Sequence, residues 1–143
     1  MNGLRYMLDT NVLIELIRKN PIVVENLRQQ GLRRCCISVI SVHELYYGAY
    51  NAPEKYREQE LIRVEKIVHH FPIVPLPDDG HYFGKMKAQL TKSGVIIDDF
   101  DMLIAASAIR NELVVVTDNT KHFARVGELQ IENWTTSRTK NFK

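Results

Sequence analysis

The sequence predicts a single α/β domain with a mainly parallel central sheet flanked by helices, and three observations carry that prediction. Short apolar stretches alternate with longer amphipathic ones along the chain, the order of β-α-β units. Residues 113–117 open with four apolar residues, three of them valine, as in a strand buried on both faces. A length of 143 residues, with 45% hydrophobic and 25% charged content, matches one globular domain. No apolar run approaches the ~20 residues of a membrane helix. Asp9 interrupts the N-terminal apolar stretch before a signal h-region can form. The only cysteines, Cys35 and Cys36, are adjacent, which suits neither an unstrained disulfide nor a zinc site. They are expected as buried thiols of a protein from a reducing compartment, the cytoplasm.

Each element has its own signals. Residues 4–9 read as a short buried strand that runs into Asp9-Thr10-Asn11. Thr10 or Asn11 is expected to cap the next helix, where Leu13, Leu16 and Ile17 recur at helical spacing. Asn20-Pro21 breaks that helix, and Pro21 opens a second one that Gly31 closes. Residues 35–39 form the second strand. Ser41 then opens a helix through Tyr47, and Ser41 and Glu44 have the spacing of a capping box. After Pro53 a long charged helix over 54–71 buries Leu61, Val64, Val68 and Phe71. Pro72, Pro75 and Pro77 bracket an extended piece at 73–76. Asp78 and Asp79 begin a helix that Gly94 ends. Asp98, Asp99 and Asp101 lead into a small-residue helix over 102–110, where their charge favours the positive end of the dipole. Residues 113–117 are the strongest strand, and 129–131 a last short one before Trp134. The domain therefore spans 1–134, and residues 135–143 form a basic tail.

Acids recur where this fold binds ligands, outside the carboxyl ends of the strands. Asp9 follows the first strand and Asp118 the strongest one, while Glu44 and the Asp98, Asp99, Asp101 group stand at helix starts. Taken singly, each is as well explained by a cap, a turn or a helix dipole. Together they would repel one another unless a cation compensates. Hard divalent cations, Mg²⁺ or Mn²⁺, take oxygen ligands and suit such a set. An ion of this kind polarises a phosphoryl oxygen and acidifies a bound water, as phosphodiester hydrolysis requires. Other chemistries find no support. The seven glycines form no phosphate-binding loop, and no H-E-x-x-H occurs. His69 and His70 read as solvated residues near a helix end, whereas His43 and His122 are near enough in sequence to approach the acidic edge.

The matching stretches begin with Met7-Leu8-Asp9-Thr10-Asn11 and Ser41-Val42-His43-Glu44-Leu45 with Tyr47-Gly48-Ala49. They continue with Asp99-Phe100-Asp101-Met102-Leu103, Val116-Thr117-Asp118-Asn119-Thr120-Lys121-His122-Phe123 and Ile131-Glu132-Asn133-Trp134. At these residues the sequence resembles the PIN-domain ribonucleases, specifically the VapC-type toxins of bacterial toxin–antitoxin pairs. The motifs occur in family order over residues 5–134. The resemblance implies a parallel-sheet PIN fold and a Mg²⁺- or Mn²⁺-dependent endoribonuclease acting on RNA, transfer RNA being a frequent target. Carried over residue by residue, Asp9, Glu44 and Asp101 match the family's acidic, metal-holding core. Thr10, Asn11 and Thr117 match polar positions beside it, and Asp99 an acid often found in this subgroup. The fourth acid of relatives falls here on Asn119, with Asp118 one residue earlier, so both stay candidates and one or two metals remain possible. The resemblance also implies a homodimer and a cognate VapB-type antitoxin that covers the groove.

The alternative from another class is a PIN-like module that grips RNA or a protein without cutting. Concentrated anions argue against it, since RNA phosphates would be repelled. Net charge is only +2, from 19 Lys plus Arg against 17 Asp plus Glu. If the acids gather at one edge, the remainder of the chain is distinctly basic and suited to a phosphate backbone.

Overall fold

Tyr6, Met7 and Leu8 are consecutive and all buried, because this first strand (β1, Tyr6–Leu8) is the centre of a sheet covered on both faces. The computed structural model describes residues 3–136. After β1 come helices α1 (Thr10–Ile17) and α2 (Pro21–Gln30), a 3-10 turn (Leu32–Arg34) and strand β2 (Cys35–Ser38). Helices α3 (Val39–Tyr50) and α4 (Glu54–Val68) precede strand β3 (Ile73–Val74). Helices α5 (His81–Lys92) and α6 (Asp99–Arg110), strand β4 (Val114–Val116), helix α7 (Thr120–Phe123) and strand β5 (Ile131–Glu132) complete the chain.

The strands lie in the order β3-β2-β1-β4-β5, and every pairing is parallel. Tyr6 pairs with Cys35 on one side and Val114 on the other, so β1, β2 and β4 end level with one another. Alternation along the strands then divides the core. Tyr6, Leu8, Cys35, Ile37, Val114 and Val116 face α1 to α4, where Val12, Leu13, Val64 and Trp134 pack. Met7, Cys36 and Val115 face α5 and α6, against Met102, Ile104, Ala105 and Phe123. Small residues on α6 let that helix lie close to the sheet. The single α/β domain and parallel sheet expected from the sequence are the observed architecture.

Several boundaries differ from expectation for identifiable reasons. Helix α3 starts at Val39, capped by the Ser38 hydroxyl on the Ile40 N–H at 3.0 Å, so Ser41 lies inside the helix. The expected capping box is therefore not formed. Asp9, rather than Thr10 or Asn11, is the N-cap of α1 and accepts from the Thr10 N–H. Helix α4 stops at Val68, with Phe71 buried beyond its end. The last strand is displaced to Ile131–Glu132, where Val115 and Thr117 donate to the carbonyls of Gln130 and Glu132. Of the expected basic tail, residues 137–143 lie outside the described residues. Thr136 is exposed, and its carbonyl and that of Trp134 accept from the buried Asn26 amide. Cys35 and Cys36 are free and buried, and no described helix is long and apolar enough to cross a membrane.

Candidate active site

The chain runs from β1 to β2 and β3 on one side of the sheet, then crosses to β4 and β5 on the other. The strand order therefore reverses between β1 and β4, where a parallel sheet opens a crevice at its carboxyl edge. Asp9 and Thr117 are the residues immediately after those two strands, and both are buried. The Asp9 N–H donates to the Val116 carbonyl at 2.9 Å, which fixes this end of the crevice.

Three acids converge here, two of them hydrogen-bonded to a side chain and the third beside a histidine. Asp9 Oδ2 accepts from the Thr117 hydroxyl at 2.9 Å, and its Oδ1 from the Thr10 N–H at 2.9 Å. Glu44 Oε1 accepts from the Thr10 hydroxyl at 2.6 Å, which also shares a 2.9 Å hydrogen bond with buried Ser41. That contact draws Glu44 away from the backbone of α3 and toward Asp9. Asp101, in the first turn of α6, has His122 Nε2 at 3.0 Å from its Oδ2.

The electrostatics show how close the acids are. Burial pushes the Asp9 carboxyl up to about 6; the bonds from Thr117 and Thr10 oppose this, and the charges of Asp101 and Glu44 add to it. Glu44 is raised by desolvation against its Thr10 bond, and further by Asp101 and Asp98. Asp101 is raised by desolvation, lowered by His122 and raised by Asp98. These are the carboxylates of one site, each made harder to ionise by burial and by its neighbours.

The other candidates stand around this trio. Asp98 caps α6 through the Phe100 N–H, and Asp99 turns outward to Lys87, 2.6 Å from its Nζ. Asp118 is exposed and accepts a short hydrogen bond from the Asn11 amide, whose Oδ1 is buried without a partner. The Asn119 N–H donates to Thr117 Oγ1, so Asn119 shapes the turn into α7. His43 does not join the acids. Its Nδ1 lies 2.8 Å from the Val39 carbonyl, and it borders an apolar cleft with Pro75, Leu76 and Phe100. Of the two histidines expected to approach the acidic edge only His122 does so, and Ser41, expected as a cap, is a site neighbour instead. The packing of α1 on α3 brings in Ser41, and the approach of His122 to Asp101 is a long-range contact between α7 and the start of α6.

The donor set fits a hard divalent cation: its oxygens are carboxylate oxygens, and their mutual repulsion is relieved by positive charge. Among the described residues, no three acids, histidines or cysteines form a ready-made cage.

Comparison with known proteins agrees with the site. A family model described as PIN domain matches residues 6–129. The chain is 37% identical to Ribonuclease VapC2 of Haemophilus influenzae over 92% of its own length and 98% of that protein's. It is 33% identical to the tRNA(fMet)-specific endonuclease VapC of Shigella flexneri over the same shares. The toxin–antitoxin complex VapBC2 of Rickettsia felis, solved bound to a DNA fragment from its promoter, contains a chain superposing with a TM-score of 0.83 at 32% identity; the match covers 92% of this chain and 99% of that one. A parallel sheet with acids at its reversal point, and likeness of this extent over nearly the whole chain, place the protein in the PIN-domain family, among the VapC ribonucleases.

Proposed function

We propose that this protein is the toxin of a toxin–antitoxin pair, a divalent-metal-dependent endoribonuclease that hydrolyses phosphodiester bonds in RNA and is inhibited by a cognate VapB-type antitoxin. The observation that carries the reading is the convergence of Asp9, Glu44 and Asp101 at the carboxyl edge of the sheet, each carboxyl raised by burial and by neighbouring acids. Such a site is unfavourable as three bare anions and favourable around a cation. Asp9, Glu44 and Asp101 would hold Mg²⁺ or Mn²⁺. Bound there, the ion supplies Lewis acidity to a phosphoryl oxygen and lowers the pKa of a water.

The chain's own groups do the positioning. Thr117 and Thr10 fix Asp9 and Glu44 before any ligand arrives, which lowers the reorganisation needed on binding. Asn11 leaves a free acceptor at the rim, and Asp118, tied to Asn11, stands beside it. Transfer RNA is the first substrate to test, because the Shigella flexneri relative is named for it.

A cleft of about 620 Å³ shares Glu44 with this site. Ile14, Ile17, Leu45 and Val64 form its floor, with Arg18 and Arg63 at the rim. That combination suits an amphipathic antitoxin segment, whose basic residue would pair with the acids. Ile96, 87% exposed, and half-exposed Phe100 flank the acidic helix start, and we assign this apolar patch to contact with a second copy in a homodimer.

The experiment is cleavage of purified transfer RNA with Mn²⁺ and with chelator, by the native chain and by folded Asp9→Asn and Asp101→Asn variants. Expected is metal-stimulated cleavage that falls at least ~100-fold in each variant, on the scale of removing an electrostatic catalytic group. Full metal-stimulated cleavage by either variant refutes the assignment. RNA binding in chelator with no cutting under any metal condition makes the chain a binding module instead.

A further inference from the structure

We propose that His122 is a positioning residue of this site, holding one oxygen of Asp101 so that the other is presented to the divalent ion. The inference rests on the metal reading above and goes beyond it, because His122 lies in the 117–123 stretch without belonging to the acidic, metal-holding set.

Two acids of the trio have a side-chain tether, and the third has a histidine beside it. Thr117 holds Asp9 and Thr10 holds Glu44. Among the described residues, His122 is the only side chain within hydrogen-bonding distance of the Asp101 carboxylate, with Nε2 at 3.0 Å from Oδ2. That nitrogen is buried and not aligned on any acceptor, so it has no other bond to keep. Facing a carboxylate oxygen, it is a donor in the Nε2–H tautomer and in the protonated ring alike. Site hydrogen bonds that are poorly aligned without a ligand commonly tighten when one arrives.

The fold holds the histidine there. Thr117 donates to Asp9 and accepts the Asn119 N–H, and Asn119 leads directly into α7. The next residue after His122, Phe123, is fully buried and meets the imidazole edge-on at 5.8 Å. One short stretch, 117–123, therefore reaches two acids: Asp9 through Thr117 and Asp101 through His122. Carboxylates that bind metals are generally fixed by such outer hydrogen bonds, and losing one weakens metal binding ~10–100-fold.

The test compares the native full-length chain with His122→Phe and His122→Gln. Phe keeps the ring without the donor, and Gln places an amide nitrogen near the position of Nε2. Mn²⁺ binding is measured by calorimetry on the metal-free proteins, with their melting temperatures in chelator. Cleavage is followed as a function of Mn²⁺ concentration. Expected are an ~10–100-fold weaker Mn²⁺ affinity in His122→Phe and a matching rise in the Mn²⁺ needed for half-maximal rate. Affinity in His122→Gln returns to within about threefold of the native value, following the restored donor. If Phe proves unfolded in chelator, His122→Leu replaces it. Unchanged Mn²⁺ affinity in the folded donor-less variant overturns the proposal while leaving the metal site intact. Equal loss in the Phe and Gln variants overturns the donor role. A native chain that binds no Mn²⁺ overturns this proposal and the metal reading together.

Discussion

Replacing Asp9 by Asn should make the metal-free protein more stable at neutral pH while removing its response to metal. Asp9 is only 5% exposed, and burial holds its carboxyl at about 6 against an ordinary 3.8. Between those values the folded state keeps a proton that the unfolded chain has released. Stability therefore falls as pH rises through this window and stays at the lower level above it. About two pH units correspond to roughly 3 kcal/mol of destabilisation at pH 7.5. Asn avoids that cost but turns an N–H group toward one of two donors, Thr10 N–H and Thr117 Oγ1–H, losing about 1 kcal/mol. The net gain is on the order of 1–2 kcal/mol, or roughly 3–8 °C in melting temperature for a domain of this length. Calorimetric melting in chelator at pH 7.5 and pH 3.5 measures it, and the advantage of Asn should vanish at the lower pH. Saturating Mn²⁺ should reverse the order, since an ion at 100 times its Kd adds about 2.7 kcal/mol to the native chain. A metal-free Asp9→Asn protein less stable than the native one at pH 7.5 refutes the electrostatic argument.

Three further outcomes follow from single contacts. Ser38→Ala removes the cap on the Ile40 N–H and should cost about 1 kcal/mol in chemical denaturation. Because α3 carries Glu44, cleavage should fall with it. Burial pushes the Cys35 and Cys36 thiols up to about 12, so a thiol reagent at pH 8 should label neither in the native protein and both in denaturant. Ile96→Lys places a charge at the most exposed large apolar side chain of the described residues. In sedimentation measurements it should shift a dimer to monomer with the melting temperature within ~3 °C, as expected for a surface change.

The sequence was most informative where one local signal and one global constraint agree. The apolar stretches around Met7 and Val115 are strands because nothing else buries three such residues on both faces. Asp9 directly follows a central strand, so the parallel topology places it at the ligand-binding edge. Where the two conflict, the tertiary contact decides. Ser41 and Glu44 have capping-box spacing, yet Ser41 is fully buried and Glu44 bonds to the Thr10 hydroxyl across the crevice. A cap three residues earlier, at Ser38, satisfies the helix and releases both side chains to the site. The weak final strand shows the same limit. Two residues make β5, and the bonds to β4, not its composition, set its register.

The fourth acidic position was illegible for a different reason. Asp118 and Asn119 are adjacent in a turn, and no spacing rule says which of two neighbours faces the crevice. The structure answers through backbone bonds. Asn119 is committed to the turn by its N–H on Thr117, and the Asp118 side chain goes to Asn11 at the rim. Neither takes part in raising the Asp9, Glu44 or Asp101 carboxyls. Asp9, Glu44 and Asp101 thus share their charge with Asp98 rather than with a fourth acid at 118–119, where the Asp118 carboxylate pairs with the Asn11 amide. A neutral amide there adds no charge to the acids already gathered at this edge. The small net charge of the chain then conceals a local arrangement, with acids gathered at one sheet edge and the compensating basic residues elsewhere.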